Sequence, residues 1–504
     1  MRAKKMYSED VLSALLSPEP EQLNLDLVYE LLAHICHKEP PGAILVFLPG
    51  WDKISSLHKI LSGSGKFPES RFLIIPLHSM MPTVSQKSIF NRPPPGVRKI
   101  VIATNIAETS ITIDDVVYVI DCGKIKMQNF DTINNLCTLK EEWVSVANAR
   151  QRRGRAGRVQ NGVCYHLFTR IRESLLDKYQ LPEMLRTRLE EVILQAKILQ
   201  VGKVEPFLQK VIDPPNPRAL DLSLKLLTGM NALDSDEQLT PLGYHLANLP
   251  IDPQAGKMIL FAAMFGCIGP VASIAASLSF KDAFVIPLGK EQLVDKCRLE
   301  LSKGTKSDHL VLANVMDEWL QAEREMRGRE FTSRNFLSRN TLELLKDMRR
   351  QFTSHLKDMK FLANSSVNSP DSNVHSNNIA LIKAVICAGL YPNVAIVKQI
   401  KKRGKLGNVS VELFTPEDGV VKLHPKSINE KTKDFESRFL VYHQKLKSSA
   451  IYLHDTTMVY PFALIFFSHG FTVEEVKSNS TLIIINDSIR FSCSRETAKL
   501  FQVM

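Results

Sequence analysis

What this 504-residue sequence has little of narrows it first. It holds 8 cysteines, none in a Cys-x-x-Cys pair, which argues against a disulfide framework and against a cysteine-rich zinc site. The His and Cys positions show no metal-ligand spacing, and no Gly-x-Ser-x-Gly nucleophile elbow occurs. Residues 1–10 lack the apolar stretch of a secretory signal. One long uncharged stretch, 258–279, approaches the ~20 residues that span a bilayer. Gly269 and Pro270 interrupt it and Ser273, Ser277 and Ser279 punctuate it, so it reads as two short buried helices with Pro270 starting the second. A phosphate-cradling loop needs Gly-x-x-x-x-Gly-Lys followed by Ser or Thr. Gly63-Ser64-Gly65-Lys66 fails that pattern, because Phe67 follows the lysine and Ile60 stands where the first glycine belongs. An Asp-Glu-Ala-His-like tetrad that would hold magnesium is missing too.

Positive charge, by contrast, is plentiful. Lys and Arg number 64 and Asp and Glu 53, so the balance is 64 − 53 = +11, which suits a polyanionic partner and says nothing of the fold. Apolar residues make up 44% and charged residues 23%, a globular composition, and the length predicts three or four domains. Five short β-rich runs occupy 43–48, 72–75, 99–103, 116–120 and 163–168. Most are continuous apolar runs, several separated by helical stretches such as 52–61 and 144–155. That is the pattern of a parallel α/β sheet buried on both faces. Amphipathic helices dominate from about 171 to 362, at 185–199, 220–230, 257–265, 309–326 and 341–361, divided by Pro-rich breaks. Residues 363–378, rich in Ser and Asn, read as an exposed loop or linker. A helix over 379–389 leads into strands at 394–400, 409–414, 419–423, 439–443, 450–453, 463–467, 482–485 and 488–491, which predict a small β-barrel. No sequence repeats occur.

The strongest motif is Gln151-Arg152-Arg153-Gly154-Arg155-Ala156-Gly157-Arg158, at the end of a helix predicted from near Val144. Gln151, Arg155 and Arg158 are four and three residues apart and are expected on one helical face. Guanidinium groups are permanently charged planar forks suited to phosphate. Gly154 and Gly157 would let a phosphate or a second domain come close, although each costs a helix about 1 kcal/mol against Ala. A solvated basic helix end is the plain alternative. The second motif runs from Thr104 to Asp114, directly after a buried strand. Open α/β sheets bind ligands beyond the carboxyl ends of their strands, and hydroxyls and free N–H groups there can hold phosphates. An ordinary capped strand-to-helix connection fits the same residues.

These two elements resemble motifs VI and V of superfamily 2 helicases of the DEAH/RHA group. Further matches are the run from Ile44 to Trp51, Pro76-Leu77-His78-Ser79, Gln86 with Phe90, and Leu239-Thr240-Pro241-Leu242-Gly243. Leu48-Pro49-Gly50-Trp51, Arg153 and Pro94-Pro95-Gly96-Val97-Arg98-Lys99-Ile100 look like the RHA branch. Ser277-Leu278-Ser279-Phe280-Lys281-Asp282, Ile286-Pro287-Leu288-Gly289-Lys290-Glu291 and Ser307-Asp308-His309-Leu310 look most like the member that resolves G-quadruplexes.

The resemblance implies an α/β RecA-like parallel-sheet domain followed by winged-helix, ratchet-like helical-bundle and OB-like β-barrel domains. The bounds it implies are a connector from a missing first RecA-like domain over 1–40, the second RecA-like domain over 41–170, the winged helix over 171–240, the bundle over 241–365 and the barrel region over 366–504. The chain would end where the family continues with a further helix. ATP with Mg2+ would lie between two RecA-like domains, the magnesium ligands being outside this chain. Arg155 and Arg158 would be arginine fingers, a device worth ~10³–10⁵ in rate. Gln151 would position the attacking water or γ-phosphate, and Asp114 would face the ribose. Phe90 is a candidate for stacking on adenine, with packing of Ile89 and Phe90 into the core as the alternative. Thr104 and Asn105 would lie toward nucleic-acid phosphates. Residues 124–140, with Lys124 and Lys126, would form the hairpin that helps to separate strands, though the pattern alone favours a plain surface hairpin.

Basic residues continue further on. Lys398, Lys401, Lys402, Arg403 and Lys405 can follow a phosphate backbone or form a solvated hairpin tip. Lys426, in His424-Pro425-Lys426-Ser427, is a further nucleic-acid candidate. Tyr442, Tyr452 and Tyr460 either stack on bases or serve the core. Arg324, Arg327, Arg329, Arg334 and Arg339 either line a single-strand channel or are solvated. The resemblance thus implies the C-terminal half of an ATP-dependent RNA/DNA helicase that unwinds structured nucleic acid, G-quadruplexes included. Its partners would be single-stranded or quadruplex RNA or DNA and a first RecA-like domain in cis or in trans. It would be monomeric, off the membrane, and intracellular in the cytoplasm or nucleus. Lacking the P-loop and the acidic tetrad, the chain alone is expected to be inactive. Its rivals are a non-catalytic nucleic-acid-binding fragment or adaptor with the same fold, and a basic scaffold whose binding shows no salt slope.

Overall fold

The apolar runs at the start of the chain form a five-stranded sheet in which every neighbouring pair is parallel. In the computed structural model, which describes residues 8, 22–77, 88–109, 113–158, 160–401, 409–468, 470–477, 480–485 and 488–503, the chain divides into two units. The first comprises 1–129, 139–182 and 285–289, and the second 130–138, 183–284 and 290–504.

In the first unit the sheet order is β2-β3-β1-β4-β7, with β1 Ala43–Phe47, β2 Phe72–Leu77, β3 Arg98–Ala103, β4 Val116–Asp121 and β7 Val163–His166. Every residue of β1 and β4 is buried, which is why these strands read as unbroken Ile/Val/Leu runs. Alternate residues serve opposite faces. Ile44, Val46 and Ile100 pack against helices α1 (Leu25–Lys38) and α2 (Trp51–Gly63), while Leu45, Phe47 and Val101 face Ile113 and Ala156. Helix α1 starts at Asn24, whose side chain accepts the N–H groups of Asp26 and Leu27. Arg98 holds its other end, donating Nη1 to the Ile35 carbonyl at 2.9 Å and Nη2 to that of Pro40 at 2.7 Å. Residues 25–38, assigned by sequence to a connector, are therefore built into the sheet's core.

Strands β5 (Lys124–Asp131) and β6 (Leu136–Trp143) pair as the expected hairpin. Asp131 accepts the N–H groups of Ile133 and Asn134 at the turn, and Asn135 takes the left-handed φ of +51° that Asn tolerates. The tip, residues 130–138, belongs to the second unit. There the Arg186 carbonyl receives the Phe130 N–H at 2.9 Å, and Arg188 Nη2 reaches Asn135 Oδ1 at 3.0 Å.

The rest of the second unit begins with α5 (Glu190–Ile198), α6 (Pro217–Gly229) and α7 (Pro241–Ala247). The Leu239–Gly243 motif has a plain physical reading. Thr240 caps α7, accepting the Gly243 N–H at 3.0 Å, and Pro241 takes the first helical position. A Cβ on Gly243 would lie 1.8 Å from the Ala232 carbonyl oxygen, so only glycine fits. Helices α8 (Pro253–Met264), α9 (Ile268–Ser279), α10 (Asp308–Arg324), α11 (Arg339–Asp358) and α12 (Ile379–Leu390) follow. The uncharged stretch is indeed two buried helices, although the second starts at Ile268, two residues before Pro270. Among the described residues no helix is long and apolar enough to cross a membrane. Residues 363–378 form the largely exposed loop expected, pinned by a few inward side chains. Ser369 and Ser372 are buried, and Asn373 accepts the Gly269 N–H at 2.7 Å while donating to the Val367 and Ser369 carbonyls. The Ser/Asn richness serves local backbone hydrogen bonds, not flexibility.

A closed barrel follows, with β8 Val394–Lys401, β9 Val409–Thr415, β10 Gly419–Leu423, β11 Phe439–Lys447 and β12 Ile451–Val459 in the cyclic order β12-β10-β9-β8-β11. Tyr442 is in its core. The strand expected over 463–467 is helix α13 (Pro461–Phe467), because Pro461 at the first position favours a helix and a short apolar run has no period to decide otherwise. A three-stranded antiparallel sheet, β13 Thr472–Lys477, β14 Ser480–Ile485 and β15 Ile489–Cys493, ends at helix α14 (Arg495–Val503).

Two of the quoted motifs are joints between the bundle and this barrel. Asp308 accepts four hydrogen bonds, from Ser427 Oγ at 2.6 Å, the Ile428 N–H at 2.9 Å, and the Thr456 N–H and Oγ1 at 2.8 and 3.0 Å. Three imidazoles lie near it. Burial pushes His309 down to about 3. Burial and then the Lys426 charge push His424 to about 4, and burial, His424 and Lys426 push His454 to about 3. The rings of His424 and His454 are 4.1 Å apart. A base whose folded pKa is depressed loses stability as pH falls below its unfolded value. Barrel stability should therefore fall between pH ~6.5 and 4, by about 1.4 kcal/mol per pH unit for each such histidine. Urea midpoints against pH, with the imidazole proton shifts, measure it. Rings titrating near 6.5 with a flat midpoint would contradict it.

Candidate nucleotide-facing site

The site is built where β3 and β4 of the first unit end. Asp121, the last residue of β4, is fully buried, as is Glu108 on the short helix α3 (Ile106–Thr109). Two buried carboxylates need a cation. Helix α4 (Val146–Arg153), started by a capping box between Ser145 and Asn148, supplies it. Arg152, 1% exposed, sends Nε to Glu108 at 3.0 Å and Nη1 to Asp121 at 2.8 Å, and lies over the Phe47 ring. Burial opposes charge on Asp121. Arg152, with hydrogen bonds from His166, Arg152 and the Gly123 N–H, outweighs it and holds the carboxyl below its usual range. Asn148 Nδ2 adds a 2.5 Å bond to Glu108. This knot fixes α4 against α3, which are the two motif elements.

Beyond the knot the chain leaves the helix. Gly154 is the C-cap of α4, and the N–H groups of Arg155 and Ala156 bond three residues back, a tighter winding. The single helical face expected for Gln151, Arg155 and Arg158 therefore does not form. Gln151 is exposed on the last helical turn and Arg158 is exposed in the turn that follows. Arg155 is buried, and its Nη2 donates to the Glu108 carbonyl. Burial, and then the charge of Arg158, pull Arg155 below the usual arginine value. Among the described residues nothing lies within 4 Å of a Cβ built on Gly157, so packing within the chain does not require a glycine there.

The other expected residues are spread over both ends of the sheet, Thr104 and Asn105 following β3 at its carboxyl end and Asp114 preceding β4 at its amino end. Thr104 is buried directly after β3 and Asn105 is exposed. Asp114 is exposed before β4. Ile89 takes the core position of its turn and Phe90 stands 54% exposed, so the core-packing alternative holds for Ile89 alone. Lys124 lies over the Trp143 ring at 3.5 Å, and Lys126 is 3.8 Å from Asp52. In the second unit Lys426 is paired with Asp455 at 3.5 Å. Lys402, Arg403 and the Lys401 side chain lie outside the described residues, as do His78, Ser79 and Gln86. Sequence reasoning missed Arg152, Glu108 and Asp121. The available signal was a carboxylate at the end of one fully apolar strand and another just beyond a second, which a buried arginine must answer.

Residues 24–160 match the helicase conserved C-terminal domain, 223–251 the winged-helix and 252–312 the ratchet-like helicase-associated domain, and 382–470 an oligonucleotide/oligosaccharide-binding fold. The chain is 52% identical over 486 residues to the ATP-dependent DNA/RNA helicase DHX36 of Homo sapiens, covering 95% of this chain and 48% of that protein. It is 51% identical over 499 residues to the DHX36 of Rattus norvegicus, covering 98% and 49%. It is 43% identical over 499 residues to the DExH-box ATP-dependent RNA helicase DExH1 of Arabidopsis thaliana, covering 99% and 49%. The chain thus spans about half the length of the curated relatives it matches. With the parallel sheet, both motif elements and all four domains in order, the chain is similar to the C-terminal half of DHX36-type DEAH helicases.

Proposed function

We propose that the chain is the part of an ATP-dependent DNA/RNA helicase that supplies the arginine-finger wall of the nucleotide site and much of the nucleic-acid path. The observation that carries this is the turn after α4, where Arg155 is anchored on the Glu108 carbonyl and Gly157 and Arg158 are exposed beyond it. ATP with magnesium, bound mainly by a first RecA-like domain, would supply the phosphoryl group transferred to water. The chain's own part is to stabilise charge that grows on the transferred phosphoryl oxygens. Arg158 would meet those oxygens, Arg155 would hold the turn in place, and Gln151 would orient the water. Asp114 and Phe90 would meet the ribose and base. Because α3 carries Glu108 and follows Thr104 and Asn105, a strand phosphate at motif V and the finger turn share one rigid knot. That is a physical route for coupling hydrolysis to strand movement.

Nucleic-acid binding would follow the basic residues of the hairpin and barrel, Lys124, Lys126, Lys401, Lys402, Arg403 and Lys426, on structured RNA or DNA including G-quadruplexes. Each single-strand phosphate neutralised contributes about −0.7 to the slope of log affinity against log salt. The triple change Lys401→Ala, Lys402→Ala, Arg403→Ala should flatten that slope by about 2 for single-stranded RNA. Fluorescence anisotropy at several salt concentrations, with single-stranded and quadruplex RNA in parallel, tests this. An unchanged slope removes the barrel cluster from the path, and equal weak binding to every polyanion leaves only a basic scaffold.

A further inference from the structure

Lys99 stands in β3, between the exposed edge of the sheet and the apolar run from Ile100 to Ala103. Its side chain is wholly inaccessible to solvent. An ammonium group carries three protons and no acceptor, and Lys99 commits all three. Its Nζ lies 2.7 Å from the Ile89 carbonyl, 3.1 Å from the Asn91 carbonyl and 2.7 Å from Asp115 Oδ1. These partners come from two separate segments. Residues 89 and 91 flank Phe90, and Asp115 directly follows Asp114. With Ile89 anchored in the core and both flanking carbonyls drawn toward Lys99, the Phe90 ring is left facing outward. A leucine or methionine would fill the same interior position without the desolvation cost of a buried charge. The lysine instead ties the turn bearing Phe90 to the turn bearing Asp114.

We infer that Lys99 is a positioning residue for nucleotide base recognition, setting Phe90 and Asp114 as one rigid reader of the adenosine end. This rests on the reading proposed above for Phe90 and Asp114. Lys99 touches no substrate. It acts through the two turns, so its loss should weaken contacts to the base while sparing those to the phosphates, which are held at the far end of the ligand by Arg158.

The test uses the full 504-residue chain with two probes, ATP and inorganic tripolyphosphate, their dissociation constants measured by ligand-observed NMR together with saturation transfer to the adenine H8 and H2 protons. Lys99→Met should weaken ATP about tenfold, the scale of one lost base–aromatic stack, and leave tripolyphosphate unchanged. Phe90→Ala should do the same, and the double variant should be no weaker than either. Equal weakening of both probes by Lys99→Met would overturn the inference, since a merely structural loss does not discriminate between them. ATP binding that falls in Phe90→Ala but not in Lys99→Met would also overturn it, and would leave the Phe90 reading standing. No saturation transfer to adenine in the unaltered chain, or none lost in Phe90→Ala, would overturn that reading itself. Should Lys99→Met fail to fold, Asp115→Asn keeps a neutral acceptor for Nζ and should weaken ATP several-fold without touching tripolyphosphate. An unchanged ATP affinity there overturns the inference.

Discussion

Arg158→Ala is expected to leave the folding of the first unit intact and, under the function proposed above, to lower RNA-stimulated ATP turnover by about 10³-fold or more once a first RecA-like domain is supplied. The two halves of that expectation have separate causes. Arg158 is exposed, so its side chain fills no part of the core. Its proposed work is done only in the transition state, where charge spreads over the phosphoryl oxygens and a preorganised guanidinium is worth most. The loss should therefore appear in kcat with KM for ATP little changed. Arg155→Ala should lower turnover too, but it should also cost stability, because Arg155 is buried and bonded to the Glu108 carbonyl. The 504-residue chain alone should hydrolyse ATP negligibly, since arginine fingers lower a barrier only against a held nucleotide. Steady-state kinetics beside thermal melts separate these effects. Arg158→Ala turnover within tenfold of the unaltered rate, with that domain supplied, would remove the arginine-finger assignment.

Arg152→Ala should be the most destabilising single change in the first unit, by about 3–5 kcal/mol at pH 7. It would leave two buried carboxylates, Glu108 and Asp121, without their shared cation. The pH dependence identifies the cause. In the unaltered chain Asp121 titrates below its usual range, so its stabilisation is present at neutral pH and is lost only as pH falls through that depressed value. With the guanidinium removed, burial dominates and the Asp121 carboxyl rises. A raised acid loses stability as pH climbs, so the variant's deficit should shrink from pH 7 to pH 5. Urea denaturation followed by a first-unit probe such as Trp143 fluorescence reads this. A cost below about 1 kcal/mol, or one independent of pH, would mean that the knot does not hold the two motif elements together. Arg152→Lys should recover little, because an ammonium cannot span both acids as the fork does.

Much of the fold was legible because its signal is local. Each of the five parallel strands lies within two residues of its expected bounds, since a strand buried on both faces must be an apolar run whatever packs on it. The Leu239–Gly243 helix start was equally local: a hydroxyl cap, a proline and a glycine in fixed order. The failures were those of period and of reach. Residues 461–467 are too short and too uniformly apolar for the sequence to separate helix from strand. Residues 363–378 are largely the exposed loop expected, and only the backbone bonds of side chains such as Asn373 were not legible.

The candidate site divides in the same way. The sequence by itself determined that a run of hydroxyls would follow a buried parallel strand and that arginines and small residues would end a later helix, because residue type and spacing carry that directly. Only the tertiary structure decided which arginine does what. Arg152 and Arg158 have the same side chain, yet Arg152 is enclosed between carboxylates that lie 44 and 31 residues earlier in the chain, while Arg158 faces outward. Lys99 likewise looks like a polar lapse in a strand until two distant turns are seen to close on its ammonium group. A buried charge is defined by partners remote in sequence, and local pattern cannot name them.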